Sequence, residues 1–217
     1  MKKIAVILSG SGVYDGTEIQ EAVLTLLAID QCGASYRCFA PNINQHHVIN
    51  HLTGGVSDDE TRNVLVESAR ITRGDVEDIS EFYINEWDAL IVPGGFGAAK
   101  NLSDFALKGS DCQVNEQVLK MCQAFAETEK PAGYMCIATA MLPLIYPKGV
   151  KGTIGNDAAT AESIVAMGME HVEADVKRVI IDKDNNVVST PAYMLATSIS
   201  EAATGISRLV KTVIAMS

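Results

Sequence analysis

Short β-branched apolar runs alternate along this chain with longer stretches of helical periodicity. KIAVIL at 3 to 8 precedes TEIQEAVLTLLAIDQCG at 17 to 33, where Ile19, Ala22, Val23, Leu26 and Leu27 recur at helical spacing before Gly33. SYRCFA at 35 to 40 and DALIVPGG at 88 to 95 repeat the first kind of run. Strands without polar alternation need apolar cover on both faces, and the helices between them are the elements able to supply it. The pattern predicts an α/β fold, a doubly wound and mostly parallel sheet with helices on both faces.

The remaining elements fit that plan. DDETRNVLVESARI at 58 to 71 reads as a helix with acidic residues at its start, where the dipole favours them. NEQVLKMCQAFAETEK at 115 to 130 reads as an amphipathic helix capped by Asn115. A strand at 132 to 135, a helix at 137 to 146, the short segment KGTIG and a helix at 160 to 167 follow. VKRVIID and NVVST flank Lys183-Asp184-Asn185, which is turn chemistry and predicts a small β-hairpin. A long helix from Met194 to Met216 closes the chain, with Gly205 weakening its middle. With no repeat or linker, residues 1–217 read as a single domain.

Charge and cysteine usage narrow the function. A formal net charge of -10 opposes nucleic acid and anionic membrane, because phosphate binding needs a basic patch. MKKIAVILSG has five apolar residues between Lys3 and Ser9, too few for a leader core, and no run approaches the ~20 apolar residues of a spanning helix. Cys32, Cys38, Cys112, Cys122 and Cys136 are odd in number and irregularly spaced, which predicts reduced thiols and a cytoplasmic location.

In open α/β sheets sites form at the carboxyl ends of strands, so the turns there are the places to search. Gly10-x-Gly12 meets Asp15 where a dinucleotide fingerprint wants glycine, and Gly94 to Asn101 lacks the last glycine and the Ser/Thr of a phosphate loop. His47 and His51 have helical ligand spacing, but Val48 stands where a zinc protease needs glutamate. No cofactor and no metal is expected.

Cys136 is different. It stands where the strand at 132 to 135 turns directly into a helix, a position that presents a thiol at the sheet edge with a helix N-terminus to stabilise its thiolate. Gly133 and Ala138 leave room for close approach, and Gly94-Gly95 ends another strand with amides free to face an oxyanion. Glu18 and Glu21 lie in the first turn of the first helix. Leu24 and Ala28 share the face of Glu21, and Ile19, Val23 and Leu26 line the other, so the helix should be buried nearly all round. A carboxyl there would be desolvated, with its pKa raised toward neutrality.

These residues resemble the ThiJ/PfpI superfamily, relatives of the class I glutamine amidotransferases. The resemblance is strongest to the ElbB-type branch, isoprenoid-biosynthesis-associated proteins with an amidotransferase-like domain. It is carried by S-G-x-G-V-Y-D-G-T-E-I-x-E-A at 9 to 22, N-H-L-T-G at 50 to 54, T-R-N-V-L at 61 to 65, P-G-G-F-G-A-A-K-N-L at 93 to 102, M-C-I-A at 135 to 138 and T-P-A-Y-M-L-A at 190 to 196. It implies a flavodoxin-like sheet, nucleophile Cys136, partner Glu21, and an oxyanion hole from Gly94, Gly95 and the amide of Ile137. It further implies a homodimer and a cofactor-independent glyoxalase acting on a small dicarbonyl such as glyoxal to give glycolate.

Amidotransferases follow their cysteine with Gly-His-Gln and carry a later His-x-Glu. Here Ala138, Thr139 and Ala140 follow, and the carboxyl end is read as carrying no His-x-Glu, so glutamine hydrolysis is not expected. Where other members keep a histidine after the nucleophile helix, this chain has Thr153-Ile154-Gly155-Asn156-Asp157. His51 and Glu18 are the further candidates for a third site residue. The alternatives are a redox-sensing or regulatory cysteine, a small amide or thioester hydrolase, and a deglycase.

Overall fold

The computed structural model describes residues 1–217. Nine strands form: β1 (Lys3–Ile7), β2 (Ser35–Ala40), β3 (Val76–Asp78), β4 (Ala89–Val92), β5 (Ala132–Met135), β6 (Lys151–Gly152), β7 (Glu170–His171), β8 (Ile180–Asp182) and β9 (Val187–Thr190). Seven of them make one sheet in the order β3-β2-β1-β4-β5-β9-β8, and β6 pairs with β7 apart from it. All neighbours in the large sheet are parallel except β8 and β9, the hairpin at one edge. This is a doubly wound, flavodoxin-like α/β architecture, as expected.

The helices are α1 (Ile19–Gln31), α2 (Val64–Thr72), α3 (Phe105–Lys108), α4 (Glu116–Glu127), α5 (Leu142–Ile145), α6 (Ala158–Ala166) and α7 (Ile199–Met216). Alternate strand residues face opposite layers. Ala5, Ile7, Leu90 and Val92 join the core under α4 and α5, while Ile4, Val6, Leu8 and Ile91 join the core under α1 and α7. The chain leaves β1 toward β2 on one side and returns to β4 on the other. The order therefore reverses between β1 and β4, and the crevice opens at their carboxyl ends.

Several boundaries differ from expectation for local reasons. Residues 58 to 63 stay out of α2, whose cap is Asn63, its side chain accepting from Val66 N–H. The acidic residues ahead of it are solvated loop. The helix expected at 137 to 146 is a 3-10 turn (Cys136–Met141) running into the four-residue α5. β3, β6 and β7 have two or three residues each, too short for a periodicity to register. The hairpin forms where Lys183-Asp184-Asn185 places it, with Asp182 accepting from Asp184 N–H at 3.0 Å and from Lys151 N–H at 2.8 Å.

α1 is not buried all round. Ile19, Val23 and Leu27 form an exposed outer stripe, and Glu21, Ala22, Thr25, Ala28 and Ile29 form the inner face. Gly205 also means something other than helix weakness. It is buried in α7 against the carbonyl of Val176, and a Cβ there would lie 2.4 Å from that oxygen.

Gly205→Ala should therefore destabilise the protein by about 1–3 kcal/mol, the ordinary cost of overpacking. In a solvent-facing helix the same change would stabilise by roughly 0.5–1 kcal/mol. Urea titration of the two proteins reads the sign directly.

Candidate functional site

β5 ends at Met135, and the next residue leaves the sheet in an unusual conformation. Cys136 has φ 55°, left-handed backbone that a side-chain-bearing residue adopts at a cost of roughly 1–3 kcal/mol. The kink turns its side chain into the crevice, where it is 7% exposed. The expected strand-to-helix turn is present, built as a strained single residue.

Glu21 reaches the same point from the inner face of α1 and is fully buried. Its Oε2 accepts from Gly94 N–H at 2.8 Å and its Oε1 from Tyr193 N–H at 3.1 Å. These donors belong to the turn after β4 and the turn after β9, so one carboxyl joins three segments. Gly94 makes the meeting feasible, since a Cβ there would lie 2.6 Å from Cys136 Cβ, 3.0 Å from its Sγ and 2.8 Å from Glu21 Oε2. The Cys136 thiol and the Glu21 carboxyl are thus brought to the same point beside Gly94.

Burial dominates the electrostatics of this pair. It raises Glu21 from its ordinary 4.5 to about 7, the amides of Tyr193 and Gly94 pulling down and the Glu18 carboxylate pushing up. It also drives the Cys136 thiol well above its ordinary value, with the Glu21 charge adding to the rise and the amides of Ile137 and Gly95 opposing it. The expectation of a stabilised resting thiolate is thus corrected: a 3-10 turn and a four-residue helix supply too little dipole to offset complete desolvation.

The amides sort themselves by partner. Those of Gly95 and Ile137 favour negative charge on the sulfur, as donors beside a developing anion do. The amide of Gly94 is held by Glu21, which removes it from the expected oxyanion hole. Glu18 is the N-cap of α1, its Oε2 accepting from Glu21 N–H at 2.6 Å, and it lines the site mouth. Burial raises its pKa.

His51 does not join the site. Its Nε2 accepts from Tyr14 N–H at 3.2 Å and its Nδ1 faces the carbonyl of Ile49 at 2.9 Å, so both nitrogens are occupied by main chain. His171-Val172-Glu173 does carry the His-x-Glu spacing, which corrects the reading that none is present. His171 sits in β7, its Nε2 accepting from Ile154 N–H at 3.4 Å, and it is not part of the cavity wall beside Cys136.

The glycine-rich turns serve each other rather than a phosphate. Phe96 N–H donates to Val13 and Gly97 N–H to Gly16, both at 2.8 Å, main chain directly on main chain. Lys100 Nζ donates to the carbonyl of Tyr14, and the Asn101 amide bridges the carbonyls of Ser9 and Asp15. Tyr193 is the site residue that sequence reasoning missed. The motif at 190 to 196 was visible, but a role played by a backbone N–H leaves no mark on side-chain type.

Over the sulfur opens a cavity of about 340 Å³, walled by Val13, Phe96, Phe105, Ile137 and Met194 with Glu18 and Tyr193 at its polar side.

No protein-family model matches the chain. Among curated proteins, human glutamine amidotransferase-like class 1 domain-containing protein 3, mitochondrial, is 43% identical over 221 residues, covering 98% of this chain and 82% of that protein. Among solved structures, an isoprenoid biosynthesis protein with amidotransferase-like domain from Ehrlichia chaffeensis is 36% identical with a TM-score of 0.93, covering 100% of this chain and 99% of that one. A DJ-1 superfamily protein from Salmonella typhimurium, 19% identical with a TM-score of 0.60, covers 99% of this chain and 91% of its own and shares the fold. The human relative and the rat and zebrafish ES1 proteins are named mitochondrial, which overturns the expected cytoplasmic location. Reduced cysteines exclude an oxidising compartment, and that argument does not separate one reducing compartment from another.

The raised pKa of Glu21 carries a stability signature. Between about 4.5 and about 7 the folded state holds a proton that the unfolded chain has released, so stability falls as pH rises through that window, by about 3 kcal/mol in all. In Glu21→Gln this component should vanish. Subtracting the pH dependence of the variant's denaturation from that of the parent isolates it.

Proposed function

The chain belongs to the family of glutamine amidotransferase-like class 1 domain-containing protein 3 and the ES1 proteins, and from that premise we propose a cofactor-independent glyoxalase-type enzyme. Its substrate is a small dicarbonyl and its product a hydroxy acid, glycolate in the case of glyoxal. The observation that carries this reading is the buried Cys136 and Glu21 pair, with the Gly95 and Ile137 amides favouring charge on the sulfur, facing a partly open apolar cavity.

The geometry suits one shuttled proton. As the sulfur adds to the aldehyde carbon, its proton passes to Glu21 and the new oxyanion is held by the Gly95 and Ile137 amides. Glu21 returns the proton to that oxygen, giving a hemithioacetal. It then takes the hydrogen from the sulfur-bearing carbon as a proton and delivers it to the neighbouring carbon, while the hydroxyl proton passes from the first oxygen to the adjacent carbonyl oxygen, leaving a thioester of the hydroxy acid. Water cleaves the thioester and restores the thiol, so the net change is dicarbonyl plus water to hydroxy acid.

A redox sensor is the weaker reading, because oxidation proceeds through the thiolate and burial opposes it here. Amide hydrolysis is weaker too, since no histidine lines the cavity to protonate a leaving amine.

The homodimer is part of the same proposal. Ile19, Val23 and Leu27 make α1 apolar on its outer side, and a second copy is the occupant this reading assigns to them. Light scattering should give about twice the 23.2 kDa chain mass, and Val23→Lys with Leu27→Glu should return the monomer. A monomeric parent would overturn it.

Cys136→Ala should abolish glyoxal turnover. Glu21→Gln should lower kcat by roughly 10²–10⁴, the range for a lost general acid-base group. In the unmodified protein, kcat/KM should climb with pH through about 7 as Glu21 ionises to accept the thiol proton. Turnover by Cys136→Ala at the parental rate would refute the mechanism.

A further inference from the structure

The cavity over Cys136 is larger and more apolar than glyoxal requires. Its volume of about 340 Å³ falls in the range that encloses drug-sized ligands, whereas glyoxal has four heavy atoms. Beyond the sulfur, the wall is Val13, Phe96, Ala99, Phe105, Ile137 and Met194.

The polar groups in that wall are already engaged. Glu18 Oε2 accepts from Glu21 N–H, and the Tyr193 hydroxyl bonds to Gln20 Oε1. Thr160 bonds to the Asp157 carboxylate through both its hydroxyl and its N–H. No lysine or arginine lines the cavity, and its one carboxylate besides the catalytic pair, Glu18, stands at the polar side. A carboxylate or phosphate on the substrate would find no cation there and would face a like charge. Lys100, the nearest basic residue in the adjoining turn, has its amine on the Tyr14 carbonyl and over the Phe96 ring.

We propose that the substrate is an uncharged 2-oxoaldehyde bearing an apolar alkyl or aryl tail, its dicarbonyl head at Cys136 and its tail against Phe96, Phe105 and Met194. This rests on the dicarbonyl reading of Cys136 above and specifies the substrate class for that site. The sulfur adds to the terminal aldehyde carbon of R-CO-CHO. The hydrogen on that carbon moves as a proton through Glu21 to the ketone carbon, and the hemithioacetal hydroxyl passes its proton to the ketone oxygen, which becomes the hydroxyl as the thioester carbonyl forms. Water then cleaves the thioester, and the product is the 2-hydroxy acid R-CHOH-COOH.

The test is a kcat/KM series on the unmodified protein with glyoxal, methylglyoxal, propylglyoxal, pentylglyoxal and phenylglyoxal, plus a pentylglyoxal analogue ending in a carboxylate. Each buried methylene should raise kcat/KM about 4-fold until the cavity is filled. The terminal carboxylate should erase that gain. Ala106→Phe, which adds a ring at the exposed rim, should move the optimum to shorter tails. Measurable glyoxal turnover with a flat or falling series overturns the tail assignment and leaves the glyoxalase reading standing. An unshifted optimum in Ala106→Phe overturns the assignment to this cavity. No turnover of any member overturns both.

Discussion

Two weak acids buried in contact cannot both carry charge, and the site is organised around that constraint. Glu21 and Cys136 meet where neither is hydrated, so each group's ionisation opposes the other's, and as Glu21 ionises above about 7 a single proton remains on the pair. The surrounding structure looks like what is needed to hold such a pair. Main-chain donors fix both carboxylate oxygens, a glycine clears the space above the sulfur, and a left-handed residue turns the thiol inward.

The fold serves this meeting through its topology. Reversal of strand order between β1 and β4 opens a crevice at their carboxyl ends, and α1, the turn after β4, the turn after β5 and the turn after β9 all reach it. Packing of main chain on main chain between residues 10 to 18 and 93 to 97 closes one wall. Glycine in these turns answers a need for backbone approach, which is why they imitate nucleotide motifs without the rest of the signature.

Much of this was legible in the residues and some was not. Buried strands announce themselves as unbroken apolar runs, so β1, β2, β4 and β5 could be placed, and turn chemistry marked the β8-β9 hairpin, while the short strands β3, β6 and β7 could not be seen. Cys136 stood out because a strand ran into a turn with no polar gap. Glu21 was found by a helical wheel whose faces were misread: burial of Glu21 was right, yet Ile19 and Val23 proved to be outside. The two adjacent glycines at 94 and 95 are identical as sequence, and only the fold shows that the amide of Gly94 holds the carboxyl while that of Gly95 favours charge on the sulfur. His51 looked available because side-chain type cannot reveal that main-chain groups already occupy both of its nitrogens.

The Tyr193 contact has a bearing on how such a site tolerates change. Because Glu21 is pinned there by an N–H rather than by the phenol, every residue type except proline at 193 can supply the same donor. The ring is therefore free to vary in size and polarity along a lineage while the carboxyl stays in place. The wall facing the ligand can be retailored without disturbing the proton chemistry beneath it.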